Sequence, residues 1–306
     1  MIANRVAFSE TLAQLAEERE EIFILDADAC KSTGTLVCRD KAPSKFIQCG
    51  IAEQNMMGIA AGLAYTGKIP FAATFAVFTC MRAVEQVRNA ICYANANAKI
   101  IGTHAGLETG GDGGTHQAIE DISIMRALPN MTVVVPSTPN NTRQLTKAIA
   151  DHNGPCYMRL GKEPAEELYQ DREEFFIGGS RLLRDGKDVT IIACGSMVWR
   201  AVKAGKILEE QGIDARIIDM YSIKPIDKEA IIKAALETKG IVTVEDHNVL
   251  GGLGGAVAEV LTENAPAREK RLGLQDVYGR SGTPSELYKM YHLTPEDIAE
   301  EVKAFL

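Results

Sequence analysis

Short apolar and β-branched runs recur along the first half of the chain, each followed by a stretch of helical period. The runs EEIFILDAD, KFIQC, PFAATF, AKIIGTH, MTVVVPS and CYMRL are separated by segments such as MRAVEQVRNAICYANA and NNTRQLTKAIAD. Such alternation predicts a parallel sheet flanked by helices, because parallel neighbours must be joined by a long crossover. A second cycle starts at Asp188. Its strands DVTIIAC, DARIID and GIVTVED alternate with helices expected over Met197–Gln211, Lys228–Glu237 and Gly254–Glu263, and two more helices are expected after Thr283 and Thr294. Between the cycles, KEPAEELYQDREE is charge-dense and carries a proline, as a domain boundary does. The expected fold is therefore α/β, two consecutive three-layer domains with mainly parallel sheets, divided as 1–163, a linker over 164–180, and 181–306.

Composition narrows the function classes. With 306 residues, 46% of them hydrophobic, the chain can fill two domain cores. A net charge of −8 argues against a nucleic-acid surface, which needs clustered Lys and Arg. The seven cysteines form no C-x-x-C pair and lie mostly in apolar segments, which suits buried thiols in a reducing cytoplasm. The N-terminal MIANRVAFSETLAQLAEERE has an amphipathic period rather than the make-up of a signal peptide, and no apolar run approaches a membrane span. A cytoplasmic protein is expected.

Three features carry candidate chemistry. In FIQCGIAEQNMMGIAAGLAYTGKIPFAATFAVF, small residues at Gly50, Ala52, Gly58, Ala60, Ala61, Gly62 and Ala64 are expected to let a helix approach a sheet closely. Glu53 falls in the first turn of that helix, and Phe75 and Phe78 follow at the end of the next strand, where they offer flat faces to a heteroaromatic ring. The plainer alternative is a dipole-matched glutamate and two core phenylalanines. Second, catalytic groups in parallel sheets sit at strand ends, and Asp26, Asp28, His104 and Arg159 occupy such ends, so convergence on one cleft is expected. Third, His104, Asp112 and His116 bracket the glycine-rich GLETGGDGGTH, too polar for an ordinary turn and expected to be too flexible for core. A surface loop with incidental histidines is its structural alternative. Zinc is a rival, but the irregular spacing fits no zinc motif. In the second half, GGLGG suits tight helix packing better than a dinucleotide site, because Glu245 and Asp246 would repel a pyrophosphate.

The succession GIAEQNMMGIAAGLA, TFAVF, THAGLETGGDGGTHQAIED, VVVPSTPNNTRQL, CYMRLGKEP, IIACGSMVWRAV, MYSIKPID, VEDHNVLGGLGGAVAE and DVYGRSGTPSELYKMYHLTPEDI resembles the transketolase family of thiamine diphosphate enzymes across essentially the whole chain. The resemblance implies that Glu53 is the catalytic glutamate, hydrogen-bonded to the coenzyme's aminopyrimidine, and that Phe75 and Phe78 pack on that ring. It sets Asp28 near the thiazolium, His104 and Asp112 on substrate oxygens, and His116 near the reacting centre. Arg5, Ser32 and Arg159 fall on its phosphate-recognition positions. A sugar phosphate does need a guanidinium and a hydroxyl at one end and hydrogen-bonding groups beside its carbonyl. An apolar wall around Glu53 would hold its carboxyl as a donor. Met81 departs from the pattern, standing where many members carry a third aromatic residue.

Thiamine enzymes also carry a GDG motif followed some thirty residues later by NN, which holds the metal and diphosphate. Gly111-Asp112-Gly113 and Asn140-Asn141 imitate it, but Asp112 lies in a glycine loop, and the asparagines open a helix, where Asn is an ordinary cap. No metal ligand is therefore expected in this chain. The resemblance implies a separate diphosphate-binding subunit that holds magnesium or calcium, and a two-plus-two heterotetramer with active sites at its interfaces. The implied reaction moves a two-carbon ketol unit from a ketose phosphate to an aldose through thiamine diphosphate, as in the pentose phosphate pathway. Deoxyxylulose-phosphate synthase, which commonly has Arg at the His104 position, and the β-type subunit of 2-oxo acid dehydrogenases share the architecture. A regulatory partner with a vestigial pocket is the non-enzymatic alternative.

Overall fold

The computed structural model describes residues 1–170 and 173–306. Asp171 and Arg172 of the expected linker lie outside the described residues. Strands β1 (Ile2–Ala3), β2 (Ile22–Asp26), β3 (Phe46–Gln48), β4 (Ile69–Phe75), β5 (Lys99–Thr103), β6 (Thr132–Val134), β7 (Cys156–Arg159) and β8 (Pro164–Ala165) belong to the first half. The second half contributes β9 (Arg181–Arg184), β10 (Val189–Ala193), β11 (Ala215–Asp219), β12 (Ser222–Lys224), β13 (Ile241–Asn248) and β14 (Glu269–Leu274).

The first sheet has seven strands in the order β12-β6-β7-β5-β4-β2-β3, parallel except for β12, which runs antiparallel to β6. The second has five in the order β14-β13-β10-β11-β9, with only β9 antiparallel. Their interior strands are buried nearly throughout, as runs such as β10 VTIIA require when helices cover both faces. The mainly parallel α/β expectation is met.

Helix placement follows apolar periodicity. Asn4–Glu18 buries Ala7, Phe8, Thr11, Leu12, Leu15 and Ala16 on one stripe and leaves Glu10, Gln14, Glu17 and Glu18 exposed. In Glu53–Tyr65 the residues facing inward are Met56, Met57, Ala60 and Ala61. The expectation that the glycines seat this helix is corrected: Gly58 and Gly62 lie on its outer face, where an added Cβ would meet nothing within 4 Å. The last two helices, Pro284–Met290 and Pro295–Phe305, start with capping boxes built on Thr283 with Glu286 and Thr294 with Asp297. Each cap is worth about 1 kcal/mol.

The halves are joined by more than a tether. β12 extends the first sheet, and one apolar core runs from Met56, Ala72 and Ile100 to Ile192, Met220 and Leu253. The charge-dense linker is itself pinned: Tyr169 donates to Asp219 Oδ2 at 2.6 Å, and Phe175 packs edge-on against Tyr169 and Tyr221. In the second half, Glu245 accepts the N–H groups of Leu253 and Gly254 at 2.7 and 2.9 Å, and a Cβ on Gly254 would lie 2.6 Å from the Arg271 side chain. This helix start is filled by the protein's own carboxylate and packing, in keeping with the expectation for GGLGG.

Chain order reverses around β2. From β2 the chain moves outward to edge strand β3, then returns through the helix Glu53–Tyr65 to β4 on the other side of β2. Such a switch point leaves a crevice at the carboxyl ends of the strands, where ligands of open parallel sheets bind.

Candidate active site

Glu53 is the first residue of its helix and only 3% exposed, held there by the turn at Gly50 (φ +71°) and the non-helical Ala52. Phe75 ends β4, and Phe78 opens the π-helical turn Phe78–Arg82. The two phenyl rings are parallel, 5.5 Å apart with 2° between planes. The His104 ring stacks on Phe75 at 4.0 Å, and His116 meets Phe75 and Phe78 edge-on at 6.4 and 5.6 Å. Residues from β4, the end of β5 and the glycine-rich loop thus form one aromatic cluster beside a buried carboxylate.

The wall around Glu53 is not wholly apolar as expected. The Arg82 guanidinium lies 4.1 Å from the Phe78 ring centre, with Nη1 3.5 Å from Glu53 Oε2. A planar cation therefore bridges ring and carboxylate, and a flat ligand packing on both would displace it. Met81, in the same turn, is partly exposed.

His104 follows Thr103 with φ +54°, a left-handed conformation that costs a side-chain-bearing residue roughly 1 kcal/mol or more. It is locked by its own carbonyl, which accepts from Thr109 Oγ1 at 2.6 Å, and by a 3.0 Å contact between Nδ1 and Thr103 Oγ1. Burial, and then the cations Arg5 and Lys162, push its pKa down to about 4, against the pull of Asp112. The imidazole is neutral at physiological pH. His116 is half-buried, with Nδ1 3.0 Å from Thr115 Oγ1.

A cationic end adjoins these histidines. Arg5 donates to the Lys162 carbonyl, and burial lowers the Arg5 pKa against the pull of Glu163 and Glu108. Lys162 Nζ donates to the Thr109 carbonyl at 3.0 Å and lies 3.8 Å from the exposed Asp112 carboxylate. Lys162 is a cation beside these histidines that the sequence reading had absorbed into the charged linker, although it stands three places past a strand residue.

The expected convergence of strand ends is only partial. Arg159 is corrected: it is 5% exposed, its Nε binds Asp121 at 2.8 Å, and its Nη2 donates to the carbonyls of Ala118 and Asp246 at 3.1 and 2.8 Å. Two of its three nitrogens, Nε and Nη2, are thus held in the seam between the halves. Asp26 is also internal, accepting from Ala29 N–H and the Thr33 and Thr35 hydroxyls at 2.7, 3.0 and 2.8 Å, so it anchors the segment beyond β2. Asp28 (φ +60°) and Ser32 lie exposed on that segment, at the same sheet edge as Glu53. The asparagine pair is internal too: Thr138 caps the helix, Asn140 donates to the Gln170 carbonyl at 2.8 Å, and Asn141 Oδ1 accepts from Ser137 N–H at 3.1 Å. The glycine-rich loop is not the flexible excursion expected, since Gly106 to Gly110 are buried.

Comparison with known proteins extends this geometry. Residues 1–166 match the family described as Transketolase, pyrimidine binding domain, and residues 178–298 match Transketolase, C-terminal domain. A putative transketolase C-terminal section from Methanocaldococcus jannaschii is 47% identical over 301 residues, spanning 97% of this chain and 94% of that protein. One of the apulose-4-phosphate transketolase subunits of Phocaeicola vulgatus is 40% identical over 307 residues, 100% of this chain and 98% of its own length. Human transketolase is 35% identical over 309 residues, which take in 100% of this chain but 49% of the human protein. A solved structure described as a split gene transketolase, inactive beta4 tetramer, superposes with a TM-score of 0.94 at 47% identity, covering 100% of this chain and 99% of that one. By sequence, by fold and by the matched pyrimidine-binding and C-terminal domains, the chain belongs to the transketolase family.

Proposed function

We propose that this chain is the C-terminal subunit of a two-subunit transketolase, moving a two-carbon ketol unit from a ketose phosphate to an aldose, and active only with a diphosphate-binding partner. The observation that carries the reading is the buried Glu53 carboxylate beside the parallel Phe75 and Phe78 rings at the switch point of the sheet. That arrangement fits an aminopyrimidine: flat faces to pack on and one acid to meet a ring nitrogen. Thiamine diphosphate, when bound, supplies the carbon nucleophile and electron sink for ketose cleavage. Glu53 holds the proton at the aminopyrimidine nitrogen, and Phe75 and Phe78 orient the ring. The exposed Asp28 would lie on the thiazolium side of the bound coenzyme.

The remaining residues serve the sugar. Neutral His104 and the Asp112 carboxylate bind hydroxyls, His116 moves protons as oxygens change charge, and Arg5, Lys162 and Ser32 take the phosphate. Lys162 replaces Arg159 in this set. Among the described residues no three His, Cys, Asp or Glu side chains gather as a metal site. The reading assigns magnesium or calcium, with the diphosphate, to the partner. Relatives of matching length named as a section and a subunit support a partner chain, with which the reading assembles this one two-plus-two. No helix is long and apolar enough to cross a membrane, and the seven free cysteines, five of them buried, fit a reducing cytoplasm.

The test is reconstitution with the partner, thiamine diphosphate and magnesium. Glu53→Gln is expected to lower turnover about a hundredfold or more while assembly persists. Near-normal turnover would overturn the role of Glu53, and a wild-type complex that binds coenzyme but cleaves no ketose would overturn the function.

A further inference from the structure

None of the side chains proposed above for catalysis comes from the C-terminal half, yet that half touches the glycine-rich loop at both ends. At the start, Asp246 on β13 accepts the Leu107 N–H at 3.0 Å and the Tyr288 hydroxyl at 2.7 Å. Gly106 has φ +69°, and a Cβ there would lie 2.2 Å from Asp246 Oδ2, so only glycine admits this grip two residues after His104. At the far end, the segment Gly279–Gly282 lies against the loop backbone. A Cβ on Gly114 would be 2.5 Å from the Gly279 carbonyl oxygen, and one on Gly113 (φ +81°) would be 2.6 Å from Ser281 Oγ. Gln117, 2% exposed, donates from Nε2 to the Arg280 carbonyl at 2.9 Å, and a Cβ on Gly279 would come within 1.8 Å of Gln117 Oε1.

Two glycine-bearing backbones in contact, tied by a buried amide, define a rigid seam rather than a loop tip. Both histidines hang on it: His104 two residues before Gly106, His116 immediately before Gln117. We propose that the C-terminal half is the template of the substrate loop, with Asp246 and Gln117 as positioning residues that set the His104 and His116 imidazoles against the Phe75–Phe78 pair. The contacts it uses are mostly main-chain atoms and missing side chains. Glu53, Phe75 and Phe78 are placed by elements of the first half, so the template governs sugar recognition and leaves the aminopyrimidine wall alone. This inference rests on the function proposed above for what the loop binds, but not for how the loop is held.

The experiment uses the reconstituted complex with Gln117→Ala, and Gln117→Met as a variant that keeps the length and apolar packing of the side chain while losing the amide. Expected is a rise of about tenfold or more in KM for the ketose phosphate, since a displacement near 1 Å at reacting groups costs that much or more. The dissociation constant of the coenzyme should stay within about twofold of wild type. Gly279→Ala, which drives a methyl into the Gln117 amide, should give the same split. A merely structural role would instead lower kcat in proportion to the folded fraction and leave KM alone, and that result would overturn the proposal. A second readout needs no turnover: imidazole NMR signals of His104 and His116 should move in Gln117→Met. If they coincide with wild type, the template idea fails, whatever reaction the complex catalyses. If they move while the wild-type complex cleaves no ketose, only the function is lost.

Discussion

The two walls of the cleft are built in opposite ways. The wall proposed for the aminopyrimidine comes from one continuous stretch: Glu53 opens a helix, that helix leads into β4, and β4 ends at Phe75 with Phe78 just beyond. The wall proposed for the sugar is assembled from distant parts, with Arg5 near the N-terminus, His104 to His116 in mid-chain, Lys162 past β7, and Asp246 and Arg280 in the second half. A wall made from neighbours in sequence survives repacking of the rest. One made at a seam between two halves depends on every element that forms the seam. The comparison teaches that coenzyme and sugar recognition in this protein should respond to different substitutions.

The strongest test of that division is Arg159. Because Arg159 is buried and paired with Asp121 inside the seam, its replacement by alanine leaves a buried carboxylate uncompensated and should cost about 3–5 kcal/mol in unfolding free energy, measured by denaturant titration. A stable Arg159→Ala protein with selective loss of phosphate affinity would break the comparison, because Arg159 would then belong to the sugar wall. Lys162→Ala should behave the other way. It is expected to raise KM for a phosphorylated ketose roughly tenfold or more, the worth of a charge-assisted hydrogen bond, with little change for the unphosphorylated sugar or the coenzyme.

Glu108 tests the seam through pH. It sits on the glycine-rich loop, and burial raises its pKa to about 7 against an ordinary 4.5. The folded protein therefore holds this proton more tightly than the unfolded chain does. The stability that Glu108 confers is present below pH 4.5 and is lost as pH rises towards 7. Glu108→Gln, which keeps an acceptor for the Glu163 N–H, should gain on wild type by roughly 1–3 kcal/mol as pH is raised from 5 to 8, read from unfolding curves at the two ends of that range. A constant difference would mean that the carboxyl is not enclosed. The smallest effect is expected at Arg82. Its half-exposed ion pair with Glu53 is worth about 0–1 kcal/mol, so Arg82→Ala should tighten coenzyme binding by at most about fivefold in calorimetric titration. Weaker binding would show that Arg82 stays in the pocket and holds the ring.

Much of the fold was legible because burial on two faces leaves a plain mark. Runs such as VTIIA and IPFAATF can only be interior strands, and Thr283 and Thr294 announce their helices because a cap needs only local residues. The placement of Glu53, Phe75 and Phe78 beside one another was legible for the same reason, as it is fixed by local geometry. Arg159 and Lys162 were not. They stand three residues apart at one strand end, and sequence does not say which side chain still points into the sheet and which has passed its edge. Nor did polarity reveal that Gly106 to Gly110 and Gly113 in GLETGGDGGTH are buried, since part of their cover is the backbone of Gly279–Gly282, more than 160 residues away.

The amino-acid order alone determined the alternation of strands and helices, the two α/β halves and the carboxylate with its aromatic pair, because each depends on spacings within a few turns of chain. Only the tertiary structure decided which cations face the cleft, that a planar guanidinium bridges Glu53 and Phe78, and that the second half grips the loop of the first. Those outcomes turn on which surfaces meet when two cores become one, and complementarity between distant backbones leaves no periodic trace in either partner.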